Sequence, residues 1–263
     1  MAESIGVEAA GSPVDGRDLS STSSRGTRVL GACTLVSAIA LAAYGLKFSG
    51  ADSELDQTVR IMYVHVPTVV IAYLCMMINA VCSVIYLFRR TAFPDLMAAA
   101  AAEIGLVFLG LTLVTGMLWG RPTWGTYWSW GDPRLTTTAL LFLMYLGYVT
   151  VRNIPASIEA RGTRAAVIGI VSALLIYPVH MSVTWWASLH QGATVIGGST
   201  GNVRDKQEFT LYLGFLTFML LAAWLGIHRF RVAWLADQAA GTELDEALAE
   251  RRAESGATAE VSA

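Results

Sequence analysis

TVVIAYLCMMINAVCSVIYLF, residues 68–88, runs for twenty-one positions without a charged side chain, its one carboxamide at Asn79. About 20 apolar residues in a helix match the hydrocarbon thickness of a bilayer, and a helix bonds its own amides internally where no water reaches them. The same reading holds at 29–48, 96–118, 135–151, 165–185 and 209–227. The sequence therefore predicts an all-α integral membrane protein with six transmembrane helices. A composition of 54% hydrophobic and 14% charged residues over 263 positions fits that class. The run at 29–48 follows a long polar lead, and no small-residue cleavage pattern comes after LAAYGLKF, so it reads as a retained helix rather than a secretion signal.

Three regions follow from this pattern: a solvated tail over 1–27, the six-helix membrane domain over 28–230, and a polar tail over 231–263 in which TELDEALAERRA can form a helix. Positive residues are retained on the cytoplasmic side during insertion. Twelve of the eighteen Lys and Arg residues fall in the tails and the even-numbered connections, and six in the odd-numbered ones. Both termini are thus expected to be cytoplasmic, with the three odd-numbered loops outside.

Several function classes lack support. A formal net charge of −2 with no dense basic patch argues against nucleic-acid binding. Cys33, Cys75 and Cys82 all fall in spans, which disfavours a thiol oxidoreductase. There is no CxxCH haem-attachment motif and no Walker A loop, so ATP hydrolysis would have to come from a partner.

The outer side carries the informative residues. Six of the eight tryptophans fall there, Trp119, Trp124, Trp128 and Trp130 within WGRPTWGTYWSWGDPRLTT, and Trp185 and Trp186 after the fifth span; Trp224 and Trp234 lie toward the inner half. A single indole at this depth is more often a headgroup anchor, but an interfacial belt would populate both membrane faces. Trp124 and Trp128 are one helical turn apart, so a short interfacial helix is expected to align them as an apolar shelf, with Arg121 or Arg134 placed to meet carboxylates. A planar apolar ligand suits such a shelf.

Histidines add ligand chemistry. His65, just ahead of the second span, and His190, just after the fifth, share the outer side, and two neutral imidazoles can occupy both axial positions of a haem iron. Either one alone would read as a packing residue. His180 is a reserve candidate, and His228 belongs with the inner HRFR cluster. Glu103, well inside a span, is either functional or bonded at a helix interface. The glycine run at 192–202 follows no strand and reads as a flexible connection rather than an anion-binding loop.

VRIMYVHVP, WGRPTWGTYW followed by DPRLT, and WWASLHQGATV occur in the order found in the CcmC family of bacterial cytochrome c maturation, system I, which the chain resembles over about residues 28–230. Related haem handlers carry similar tryptophan-rich WWD loops; the two histidine motifs narrow the resemblance to this family. It implies haem b held by His65 and His190 as axial ligands, with Trp119, Trp124, Trp128, Trp130, Asp132 and Arg134 on the aromatic signature. Gly131, between Trp130 and Asp132, departs from the usual spacing and leaves the phase of Asp132 and Arg134 open. The resemblance also implies residence in the bacterial inner membrane with the haem site facing the periplasm. Its implied partners are the haem chaperone CcmE, the ABC ATPase CcmA, the membrane subunit CcmB and the small single-span protein CcmD. A transmembrane b-type cytochrome passing electrons and a haem or small-molecule permease are the alternative readings.

Overall fold

The computed structural model describes residues 22–51, 56–190 and 205–261. The expectations for residues 1–21 and for the glycine run at 192–202 lie outside the described residues. In chain order the elements are α1 (Arg25–Ala43), which continues into a π-helical turn (Tyr44–Phe48), α2 (Val59–Arg89), α3 (Ala92–Trp124), α4 (Pro133–Arg152), α5 (Ile158–Leu174), α6 (Ile176–Trp185) and α7 (Asp205–Val261). Six helical stretches are long and apolar enough to cross a membrane, α5 and α6 together forming the fifth.

Burial along α1 is inverted relative to a water-soluble helix. Thr27, Thr34, Ser37 and Leu41 face inward, while Val29, Leu35, Val36 and Ile39 are between 61% and 66% exposed. Between helices in lipid there is no hydrophobic gain from hiding a leucine, so interfaces select small and hydroxyl side chains that allow close approach. The hydroxyls satisfy themselves on their own helix: Thr34 donates to the Leu30 carbonyl at 2.8 Å and Ser37 to that of Thr34 at 2.9 Å.

The most extensive contact joins α2 to α3. A Cβ added at Gly105 would lie 3.1 Å from Cys75 Cβ and 3.4 Å from the Ala72 carbonyl oxygen, so even a methyl group there would be tight against α2. Asn79 is buried in this seam and donates Nδ2–H to the Ala98 carbonyl at 2.9 Å. Two ion pairs fasten α3 to its neighbours away from His65. Arg152 grips Asp95 through two bonds of 2.7 and 2.6 Å, and Arg229 grips both oxygens of Glu103. Glu103 is therefore a helix fastener between α3 and α7. Asp95, in the first turn of α3, plays the same part toward α4, although the sequence reading began that span one residue later.

Several boundaries differ from expectation. His65 was placed just ahead of the second span, yet α2 begins at Val59 and carries His65 in its second turn. Pro67 lies inside this helix and has no amide to give the Tyr63 carbonyl. Gly214 of α7 packs against that carbonyl so closely that an added Cβ would run into it, with Pro67 Cγ 3.1 Å away. The expected short helix carrying both Trp124 and Trp128 does not form: α3 extends to Trp124 and stops at Gly125, whose φ of +76° is the left-handed geometry of a glycine cap. The fifth span is broken at Leu175, one turn ahead of Pro178, because a proline ring clashes with the carbonyl four residues before it. TELDEALAERRA is helical, as the sequence suggests, but as an uninterrupted extension of α7.

Gly214→Ala is expected to force α7 off the Tyr63 carbonyl, an overpacking cost of about 1–3 kcal/mol. At roughly 2–4 °C per kcal/mol for a chain of this size, thermal unfolding of the detergent-solubilised protein should fall by several degrees. An unchanged melting temperature would show that the approach is not tight.

Candidate functional site

The last three turns of α3 bring the tryptophans and histidines to one end of the bundle. Thr115, Gly116, Trp119, Gly120 and Trp124 lie there at helical spacing, and α2 presents His65 to the first three. The His65 ring lies 5.6 Å from that of Trp119, nearly perpendicular to it, and its Nδ1 is 3.0 Å from Thr115 Oγ1. Gly116 makes this possible, because a Cβ there would sit 3.0 Å from His65 Cε1. The Thr115 hydroxyl directs its own proton to the Leu111 carbonyl at 2.8 Å, so toward histidine it acts as an acceptor. That puts the imidazole proton on Nδ1 and leaves the Nε2 lone pair without this partner.

His190 reaches the same end from the segment after α6. Its ring lies 6.0 Å from Trp124, whose own ring folds back over Gly120, 3.1 Å from a Cβ built there. Trp119 and Trp124 are five residues apart on one helix, a rise of about 7.5 Å. The two imidazoles lie within electrostatic reach of each other and of Arg134. His180, the reserve candidate, has an exposed side chain. His228 lies far along α7, its Nδ1 2.8 Å from Thr22 Oγ1 and its ring 5.4 Å from Trp224.

The tryptophan loop is ordered by local bonds. Trp128 packs edge-on against Trp130 at 5.2 Å, and Thr136 donates to the Trp130 carbonyl at 2.8 Å. Trp119, Trp124 and Trp128 are half-buried, whereas Trp130 is 75% exposed. Trp119 packs against the buried cluster of Leu41, Val59, Met62, Tyr63 and Leu211. The indole N–H groups of Trp119 and Trp128 are buried and have no acceptor among the described residues. Arg121 donates to the Gly125 carbonyl and covers the Tyr127 ring at 5.6 Å, so it closes the loop's first turn.

Asp132 and Arg134 flank Pro133 at the start of α4. The spacing left open by Gly131 resolves into a turn, with the Asp132 amide donating to the Ser129 carbonyl at 3.2 Å and its side chain capping α4 through Leu135 N–H at 3.0 Å. Arg134 reaches α6, donating Nε–H to Ser182 Oγ at 3.0 Å and Nη2–H to the His180 carbonyl at 2.8 Å. Burial pushes the Asp132 carboxyl up, but bonds from the Leu135 amide, the Ser188 hydroxyl and the Leu189 amide outweigh it and hold the group below its ordinary value. Ser188 carried no sequence signal beyond its place in WWASLHQGATV, and its contact with Asp132 is visible only in three dimensions.

The chain resembles known proteins over most of its length. The family model described as CcmC, heme exporter protein C, matches residues 13–244. Heme exporter protein C of Haemophilus influenzae is 36% identical over 200 residues, 74% of this chain and 79% of that one. The Rhodobacter capsulatus protein of the same name is 33% identical over 222 residues, 83% and 90% of the two chains, and that of Escherichia coli K12 is 33% identical over 188 residues, 72% and 75%. A six-helix membrane chain matched over most of its length by this family model and by these relatives belongs to the CcmC, heme exporter protein C, family.

Proposed function

We propose that this chain is a haem platform of cytochrome c maturation, holding haem b at the periplasmic face of the bacterial inner membrane and presenting it to the chaperone CcmE. The observation that supports this reading is that His65 packs on Trp119 and His190, 125 positions away in sequence, on Trp124, both on the closing turns of one helix. Heme exporter protein C, the name the relatives bear, is the second support.

The residues suit the group. His65 and His190 would hold the haem iron, His65 through Nε2 while Thr115 keeps Nδ1–H in place. Among the described residues no three His, Cys, Asp or Glu side chains gather as they would around a bare metal ion. Trp119 and Trp128 each bring a buried N–H that lacks an acceptor, and haem brings two carboxylates. When bound, haem would supply a vinyl group for attachment to the chaperone. The chain's own residues bind, orient and exclude water: the half-buried indoles cover an apolar face, each 100 Å² removed from water being worth roughly 2.5 kcal/mol.

In this reading the odd-numbered loops lie in the periplasm and the polar half of α7 in the cytoplasm. The energy source lies in partners: the ATPase CcmA, the membrane subunit CcmB and the single-span CcmD complete the assembly. This chain serves as the platform and not the motor.

Purified protein loaded with haem should show the split visible bands of a low-spin, bis-imidazole iron, and His65→Ala or His190→Ala should abolish them; their survival in both variants would refute the assignment. Thr115→Val keeps the shape of the side chain but removes the acceptor that orients His65. By the usual effect of losing such a support, haem affinity should drop about tenfold in a spectroscopic titration.

A further inference from the structure

Between α6 and His190, the last residue described before Asp205, the chain forms neither helix nor strand: Trp186 is extended, and residues 187–190 follow in irregular conformation. Hydrogen bonds to the first turn of α4 hold it instead. Asp132 divides its carboxylate between two tasks. Oδ1 caps α4 through Leu135 N–H at 3.0 Å, and Oδ2 accepts the Ser188 hydroxyl at 2.7 Å and the Leu189 amide at 2.6 Å. The Ser188 oxygen in turn accepts the amide of His190 at 3.0 Å. One carboxylate thus ends the tryptophan loop, starts a transmembrane helix and fixes the backbone that leads into His190.

Arg134 completes the arrangement from the other side of Pro133. Its bonds to Ser182 and the His180 carbonyl hold the end of α6, while Asp132 holds Ser188 and Leu189, just past that helix. Pro133 has a fixed φ and keeps the acid and the base in a constant relation. Asp132 is only 3% exposed, so its charge-assisted bonds are little screened by salt.

We infer that Asp132 and Ser188 are positioning residues for His190: they bind it to the tryptophan loop so that ledge and imidazole move as one unit, and Asp132 acts through this relay rather than by touching the cofactor. The inference rests on the reading of His190 as a haem ligand.

The experiment uses the full chain in detergent with two readouts, hydrogen–deuterium exchange over residues 186–190 without haem and a spectroscopic titration with haemin. Asp132→Asn keeps one acceptor to cap α4 but cannot accept both Ser188 and Leu189, and Ser188→Ala removes the relay. Both should speed exchange in this segment and weaken haemin binding about tenfold, the loss expected of a hydrogen bond to a charged group, with a fall in the low-spin bands. Ser188→Thr retains the hydroxyl and should restore both readouts. Unchanged exchange at Leu189 in Asp132→Asn would overturn the tie itself. Faster exchange with unaltered haemin affinity and spectrum would overturn the positioning role. His190→Ala separates this inference from the one beneath it: if that variant keeps the low-spin bands, the ligand reading fails whatever the relay does.

Discussion

Close approach of α2 to α3 is the constraint on which the remaining architecture rests. Lipid offers no reward for hiding apolar surface between helices, so attraction must come from contact at short range, which large side chains prevent. Where α3 meets α2 most closely its residues are small, at Gly105, Thr112, Thr115 and Gly116, while Ile104, Phe108 and Leu109 fill the core beside them. The same row that lets the helices touch ends in the gap that admits His65 and the hydroxyl that orients it. Packing and ligand preparation are thus successive parts of one surface.

The membrane character was legible because it depends on runs of apolar residues, and runs survive any uncertainty about where helices begin. Boundaries were not, because they depend on what proline and glycine meet in space. Pro67 can stay within α2 since Gly214 of α7 lies against the carbonyl it leaves without a donor. Gly125 ends α3 between two tryptophans whose spacing alone suggested one helix. The polar half of α7 continues the helix because backbone bonding does not stop where hydropathy does.

The histidines and tryptophans could be grouped from sequence because residue type and side of the membrane are both visible there. Their supports could not. Thr115, Ser188 and the true partners of Asp132 and Arg134 are common polar residues whose meaning lies in long-range contacts of 46 to 57 positions. Asp132 and Arg134 look, in one dimension, like charges waiting for a ligand. In the folded chain they are already engaged with α6 and the segment that follows it.

α7 runs from Asp205 to Val261 without a proline or a break, about 85 Å at 1.5 Å per residue and nearly three times the thickness of a bilayer's hydrocarbon core. Near its start Gly214 presses on the Tyr63 carbonyl, two residues from His65 on the neighbouring helix. A shaft without a joint transmits tilt and twist along its whole length. The charged end of α7 and the glycine that presses on the backbone beside the first histidine thus belong to one unbroken rod.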